Sequence, residues 1–165
     1  CRKPVIAVVH GITLTVGIEM MLAADIVIAA DTARFAQIES KRGIAPLGGA
    51  HFRYVERAGW GNAMYHLLTC DEFTAARAKE IGFVQEVLPY GAHRERAMEL
   101  ARQICKCAPI GLRATKEAAL VYLQHGEQAA IDAIPRIRET VFKTEDASEG
   151  IMSFIQRREA QFKGR

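Results

Sequence analysis

Two glutamates in the front part of this 165-residue chain have the residue type and setting for chemistry. Glu19 follows the turn-like stretch Thr15–Gly17 at the predicted start of a helix, and Glu39 closes the short extended run 34–39. Both lie among Val, Ile, Met, Leu, Ala and Phe, so a fold that joins them would hold two carboxyls in a largely apolar pocket. Such a pocket disfavours the charged form of a carboxyl. Two carboxyls placed there could act as a general acid–base pair.

The predicted helix start also provides hydrogen-bond donors, the free backbone N–H groups at about Val16 and Gly17. The first N–H groups of a helix have no partner inside it, and they can bind a developing oxyanion. An oxyanion donor beside two carboxyls indicates chemistry on a carbonyl compound through an enolate.

Each glutamate alone has a simpler explanation. Glu19 would complement the helix dipole, worth roughly 0.3–1 kcal/mol, and Glu39, which precedes Ser-Lys-Arg, would be a surface charge.

The bulk composition is that of an ordinary globular protein, half hydrophobic and a quarter charged, and the length predicts one domain. A net charge of +3, spread along the chain, is too small to indicate nucleic acid binding, and we expect no nucleic acid partner. No apolar run approaches the ~18 residues of a membrane span, so no membrane partner is expected. The four cysteines lack the spacing of metal ligands, which predicts free thiols and a cytoplasmic location.

The front part of the chain has the pattern of an α/β fold. Apolar β-branched runs predict strands at 4–9 and 26–30, and the composition between them predicts a buried helix over 17–25. This order indicates a βαβ unit with parallel strands and a right-handed crossover. A third short strand is predicted over 34–37, before a loop rich in Gly and Pro over 41–50.

The rest of the chain is predicted to be mainly helical, which suggests a helical layer on a sheet supplied by the front part. Thr74 is a predicted N-cap, and Pro135 should kink or split its helix. One further strand is predicted over 83–88. The predicted helices cover residues 51–58, 62–68, 74–81, 92–107, 109–125, 126–144 and 146–162.

Motifs along the whole chain resemble those of the enoyl-CoA hydratase/isomerase (crotonase) superfamily. The first is HGITLTVGIEMMLAADIVIAADTARFAQIESKRGIAPLGGA, which is similar to the family's glycine-rich turn, two glutamates and G-I-x-P-x-x-G-G segment. The second is LLTCDEFTAARAKEIGFVQEVLP. The last are RATKEA and TEDASEGIMSFIQRREAQFKGR. Together these segments are far more specific than a single glycine motif.

The resemblance implies roles for three positions. Glu19 matches the first catalytic glutamate of the hydratases, Glu39 matches the second, and Val16 holds the position whose backbone N–H is half of the family's oxyanion hole. In a hydratase the two glutamates hold and activate one water, which adds at C3 of a trans-2-enoyl thioester while C2 takes a proton. Both acids together favour a hydratase over an isomerase.

The resemblance also implies substrate contacts. Leu14, Ile38 and Leu47 match positions that line the acyl site, and Arg157 falls near a basic position that meets the CoA of a neighbouring subunit. The sequence departs from the family pattern in two places. Thr15–Gly17 replaces a triple glycine, which could narrow the acyl pocket or tilt the turn, and Ile38 replaces a proline, which could shift Glu39.

The architecture implied is an α/β crotonase-like fold. A partial spiral ββα core over 1–90 would carry the active-site glutamates, and a helical region over 91–165 would form a homotrimer or homohexamer. Acyl-CoA would be the substrate, with no metal or redox cofactor. Family members carry an N-terminal part ahead of KPVIAVV that supplies the other oxyanion N–H. We therefore expect this chain to begin inside a domain, either as a fragment or completed by another polypeptide.

Several alternatives remain at this point. Another crotonase reaction is one: isomerisation, dehydration of a hydroxyacyl-CoA or thioester hydrolysis. A truncated, non-catalytic subunit that binds acyl-CoA or assists assembly is a second. A dinucleotide-binding module is the weakest, because HGITLTVGIE lacks the three-glycine spacing after a strand.

Overall fold

The computed structural model describes all residues, 1–165, and the chain forms two compact units. One unit comprises Val5–Glu99 and contains every strand of the protein. The other comprises Cys1–Pro4 and Leu100–Arg165 and is helical. The expected α/β class, with a helical C-terminal region, is confirmed. The assignment of 91–165 to trimer formation stays a prediction.

A three-stranded parallel sheet forms the first layer of the unit Val5–Glu99. Strand β3 (Ile26–Ala30) lies between β1 (Ile6–Val9) and β6 (Glu86–Leu88), and Ile6 pairs with Ile26. The predicted parallel pairing of the first and second apolar runs is therefore confirmed. Four of the five residues of β3 are buried, which explains why its sequence is continuously apolar rather than alternating.

A second small sheet joins β2 (Ile12–Leu14), β4 (Arg34–Ala36) and β5 (Phe73–Thr74). Strands β2 and β4 are parallel, whereas β4 and β5 are antiparallel. Neither β2 nor β5 is predicted from the sequence, because each is set by its pairing with a distant segment rather than by a local pattern. The sheet matters for the site because β2 leads into the turn before Glu19 and β4 leads towards Glu39.

Three helices complete this unit: α1 (Val16–Leu22), α2 (Ala50–Thr69) and α3 (Ala75–Glu80). The backbone of Gly59 leaves the helical region inside α2, with φ 74° and ψ 164°, which matches the predicted break between 58 and 62. The predicted cap of α3 is confirmed, because the Arg77 N–H donates to Thr74 Oγ1 at 3.2 Å.

The remaining helices are α4 (Ala92–Cys105), α5 (Pro109–Phe142) and α6 (Glu145–Gln156). Helix α5 breaks at Gly126, where φ is 83°, close to the predicted boundary. Pro135 does not split its helix, contrary to the stronger form of that prediction. Helix α6 ends before the predicted residue 162, because the chain turns back and the N–H groups of Lys163 and Gly164 donate to the buried Asp146 carboxylate. None of the helices combines the length and apolar character that crossing a membrane requires.

The core of the unit Val5–Glu99 is built from large side chains that are almost completely buried. The aromatic members pack against one another: the ring centroids of Tyr54 and Phe83 are 4.5 Å apart, and those of Phe35 and Phe73 are 5.5 Å apart. Helices α1 and α2 contact each other over this core, with Ile18 fully buried. The aromatic packing therefore fixes Tyr54 and the end of β4, both of which border the two glutamates.

His66 is a buried ionisable residue within this core. It is 3% exposed, its ring packs against Phe73 at a centroid distance of 4.2 Å with the planes tilted by 41°, and neither ring nitrogen has a hydrogen-bond partner. Burial, and secondly the charge on Arg77, lower the pKa of the His66 imidazole, while Asp71 acts in the opposite direction. The folded protein thus favours the neutral ring.

We expect His66 to make the protein sensitive to acid. As the pH falls through about 6.5, the unfolded chain takes up a proton that the folded state resists, so the free energy of unfolding falls by up to ~1.4 kcal/mol per pH unit. Urea unfolding between neutral pH and about pH 5 should show a shallower decline in His66→Leu. The exposed His125→Gln should follow the wild type. Parallel pH profiles for wild type and His66→Leu would contradict this account.

Candidate active site

The turn between β2 and α1 creates a free backbone donor. The Thr15 N–H donates to the Ala36 carbonyl at 3.2 Å, which ties the turn to β4, and the Thr15 carbonyl accepts from the N–H groups of Ile18 and Glu19. Val16 is the first residue of α1, so its N–H has no acceptor inside the helix. Its side chain is 60% exposed. The predicted donor is therefore located at an accessible helix start.

Thr15 has a backbone conformation that is unfavourable for its residue type. Its φ is 48° and its ψ is −116°, a left-handed combination that glycine adopts easily and a β-branched residue does not. Strain of this kind costs about 1–3 kcal/mol and persists only where the surroundings enforce it. Here the hydrogen bonds of Thr15 to β4 and α1 enforce it. The result is a fixed orientation of the peptide that carries the Val16 N–H.

Glu19 is buried, and one of its oxygens is bound to the start of α2. The Ala50 N–H donates to Glu19 Oε1 at 3.1 Å, in the first turn of a helix whose cap residue, Gly49, supplies no side chain. The N-terminus of a helix favours a negative charge. Gly48 permits this approach, because a Cβ on it would lie 2.1 Å from Glu19 Oε2. A side chain at position 48 would therefore displace the Glu19 carboxyl.

Glu39 follows β4 at the start of a 3-10 turn over Ser40–Arg42, which directs its side chain inward. Its carbonyl accepts from the N–H of Arg42 at 2.8 Å, which fixes the turn. Glu39 Oε1 accepts from the Gln37 side-chain amide at 2.9 Å, whereas Oε2 is buried and has no partner. One oxygen of the Glu39 carboxyl thus accepts a hydrogen bond, and the other accepts none.

Tyr54 lies next to both carboxyls. Its side chain is fully buried, and its hydroxyl donates to Gln37 Oε1 at 3.5 Å, long for such a bond. Burial, then the charge on Glu39 and then the charge on Glu19 raise the pKa of the Tyr54 phenol far above its ordinary range. Glu19 is hydrogen-bonded to Ala50 and Glu39 is linked through Gln37 to Tyr54, so the two glutamates, twenty residues apart in sequence, both border the first turns of α2.

The other predicted site residues occupy varied positions. Leu14 is half-buried at the end of β2, and Ile38 is half-buried between Gln37 and Glu39. Leu47 is 87% exposed in the loop before α2. Arg157 is exposed at the end of α6, with a left-handed backbone, and belongs to the other compact unit. The roles predicted for these four residues stay predictions.

Two residues of the site are absent from the sequence prediction. Gln37 had a usable signal, because residues two apart in an extended segment point to the same side, and Gln37 precedes Glu39 by two. Tyr54 had no comparable signal, since an aromatic residue in a helix is most often core. No group of three or more His, Cys, Asp or Glu side chains is arranged to hold a metal ion.

Comparisons with known proteins bear on this geometry. A family model described as enoyl-CoA hydratase/isomerase matches residues 1–165. The chain is 34% identical over 164 residues to a 2,3-dehydroadipyl-CoA hydratase of Escherichia coli K12, covering 99% of this chain and 64% of that protein. It is also 34% identical over 170 residues to the carnitinyl-CoA dehydratase of the same strain, with the same coverage.

Solved structures give the same result for the fold. A probable enoyl-CoA hydratase/isomerase from Mycobacterium abscessus matches with a TM-score of 0.97 and 46% identity, over 99% of this chain and 63% of that one. An enoyl-CoA hydratase from Bacillus anthracis matches with a TM-score of 0.96 and 34% identity, over 99% and 64%. The crotonase-like fold is confirmed. The chain spans about 64% of the length of the first curated relative.

Relieving the strain at Thr15 should stabilise the protein. Thr15→Gly removes a penalty of about 1–3 kcal/mol but adds ~0.4–1 kcal/mol of unfolded-state freedom, so we expect a net gain near 1 kcal/mol in urea unfolding. Thr15→Ala is the matched control, because its Cβ retains the penalty. Equal stabilities of the Gly and Ala variants would show that Thr15 is not strained.

Proposed function

The chain belongs to the enoyl-CoA hydratase/isomerase family, and on that basis we propose that it takes part in adding water across the C2=C3 bond of a trans-2-enoyl-CoA. Glu19 and Glu39 would be the catalytic residues, and the Val16 N–H would bind the thioester oxygen. Because the chain covers 64% of the first curated relative, this activity is proposed for the protein in its complete functional form. The CoA thioester would be the substrate, with no separate cofactor.

The observation that supports this proposal is the burial and the hydrogen bonding of the two carboxyls. Each is buried and has Oε1 held by an N–H group, from Ala50 for Glu19 and from Gln37 for Glu39. The second oxygen of Glu39 has no partner at all. Buried polar atoms are normally satisfied, so a vacant carboxyl oxygen in such a place is suited to accept a water or a proton.

The proposed reaction assigns a different task to each glutamate. Glu19, bound at the start of α2 where negative charge is favoured, takes a proton from the water as the water oxygen bonds to C3. The π electrons of the C2=C3 bond move onto the thioester oxygen, giving an enolate. Glu39, in its acid form, delivers a proton to C2 as the carbonyl re-forms. The step leaves Glu19 protonated and Glu39 ionised. Transfer of one proton from Glu19 to Glu39 through water restores the starting state, so no other reactant is required.

The thioester oxygen gains negative charge in this step, and the Val16 N–H would stabilise it. Oriented donors of this kind lower barriers strongly, and loss of one costs about 2.7–4 kcal/mol in other enzymes. The strained Thr15 backbone holds this N–H in place. The side chains of Leu14, Ile38 and Leu47 are proposed to border the acyl chain, and Arg157 to meet CoA in a homotrimer or homohexamer located in the cytoplasm.

Elimination of water from a hydroxyacyl-CoA is the second candidate. It uses the same two carboxyls in the opposite direction, and one relative is named carnitinyl-CoA dehydratase. A non-catalytic subunit that binds acyl-CoA is distinguished by experiment: it would bind a CoA thioester without turning over any enoyl or hydroxyacyl substrate.

Removal of either acid should abolish most of the activity. The assay follows loss of the enoyl chromophore with a short trans-2-enoyl-CoA, on protein purified in its native assembly. Glu19→Gln and Glu39→Gln keep the shape of the site but cannot exchange protons, so we expect hydration to fall by about 10²–10⁴-fold. Glu56→Gln on α2 is the matched control and should retain wild-type rates. Full activity in either catalytic-site variant would refute the assignment.

Gly48 provides an independent test of the Glu19 position. In Gly48→Ala the new Cβ collides with Glu19 Oε2, since the calculated separation is 2.1 Å. The carboxyl must then leave the Ala50 N–H, and misplacement of a reacting group costs about 10²-fold. We expect that loss in hydration, together with a lower midpoint of thermal unfolding, because the buried Glu19 carboxyl loses its hydrogen-bond partner.

Gly61→Ala is the matched control for this substitution. Gly61 lies on α2, and a Cβ there meets nothing within 4 Å. It should leave the rate unchanged. If Gly48→Ala also retained wild-type activity, the placement of Glu19 against Gly48 would be functionally irrelevant and the proposed base would need to be another group.

A further inference from the structure

We propose that Tyr54 is a positioning residue that acts on Glu39 through the Gln37 side-chain amide. This inference rests on the proposed function, because it assigns to Tyr54 the task of keeping one oxygen of the catalytic carboxyl free. Tyr54 would not touch substrate. The proposal follows from three observations on the buried side of the site.

The first observation is the chain of hydrogen bonds. The Tyr54 hydroxyl donates to Gln37 Oε1 at 3.5 Å, and Gln37 Nε2 donates to Glu39 Oε1 at 2.9 Å. The bond from Tyr54 is the only polar contact of its hydroxyl, and the bond to Glu39 is the only polar contact of the Gln37 NH₂ group. The two bonds therefore form a series that runs from Tyr54 through Gln37 to Glu39.

The second observation concerns which end of the Gln37 side-chain amide faces Glu39. A glutamine side chain can present either its oxygen or its NH₂ group in one direction after a rotation of 180°. If Gln37 turned its oxygen to Glu39, two acceptors would face each other in a buried place, which is unfavourable. A hydroxyl that donates to the amide oxygen adds to the preference of the Glu39 oxygen for the NH₂ end. Tyr54 therefore helps to hold the NH₂ end of Gln37 toward the carboxyl.

The third observation is that the Tyr54 hydroxyl stays neutral and so always has a proton to donate. The ring is fully buried, and the ionisable groups that act on it are Glu39, Glu19 and Cys70, all of which oppose its ionisation. A phenol in this setting keeps its proton throughout the pH range in which proteins fold. The Tyr54 hydroxyl is thus available as a donor to Gln37 across this pH range.

Helix α2, which carries Tyr54, also contacts the other carboxyl, that of Glu19. Ala50, at its first position, donates to Glu19, and Tyr54 follows one turn later on the same helix. Residues four apart lie on the same side of a helix. A single rigid element thus contacts Glu19 directly and Glu39 through Gln37.

The test measures the Gln37 amide directly, so it does not depend on turnover. Protein labelled with ¹⁵N is examined by NMR for hydrogen exchange of the Gln37 Nε2 protons, with Gln37→Met used to identify the signal. Loss of a long hydrogen bond at the weak end of the usual range corresponds to about twofold faster exchange. We expect that acceleration in Tyr54→Phe. We expect none in Tyr65→Phe, which removes a half-exposed phenol hydroxyl from the same helix.

The kinetic arm asks whether this positioning matters for the reaction. Tyr54→Phe should lower kcat about tenfold for hydration with KM nearly unchanged, and should leave thermal unfolding close to that of the wild type. A wild type that does not hydrate enoyl-CoA would refute the proposed function, while the exchange measurement would still decide the role of Tyr54. Unchanged exchange in Tyr54→Phe, or unprotected Gln37 protons in the wild type, would overturn the inference.

Discussion

The site depends on the N-terminus of α2, because that helix start must accept a buried carboxylate. Glu19 meets the Ala50 N–H at 3.1 Å, in the one part of a helix where backbone donors are unpaired and negative charge is favoured. The approach is possible only because Gly48 has no side chain. A buried charge without such a partner would cost several kcal/mol. The positions of α1, the loop over 43–49 and α2 are thus constrained together by one hydrogen bond.

The strained turn at Thr15 is a second constraint on the site. Thr15 alone separates the end of β2 from the start of α1, the helix that carries Glu19. Glycine would adopt that backbone easily, yet threonine occupies it with φ 48°. The hydrogen bonds from Thr15 to Ala36, Ile18 and Glu19 hold the turn despite the penalty. Strain stored next to a free N–H is typical of functional sites.

The sequence predicted the parts of the fold that have a strong local signal. The apolar run of β3, the helix breaks near Gly59 and Gly126 and the Thr74 cap were all visible, because each depends on neighbouring residues. Strands β2 and β5 were missed because they are set by pairing with distant segments rather than by a period. The early end of α6 was missed for a similar reason. The bonds of Asp146 to Lys163 and Gly164 span 17 and 18 residues.

The candidate site shows the same division between local and distant information. The identities of Glu19 and Glu39 and the free Val16 N–H could be predicted, but the partners that make the two glutamates different could not. Glu19 is bound by a backbone N–H 31 residues away, and Glu39 by a glutamine whose orientation depends on Tyr54, 17 residues further along. Two identical side chains therefore receive different surroundings from one helix. That difference in hydrogen-bond partners could not be predicted from the sequence, because each partner lies on another segment or is itself held by one.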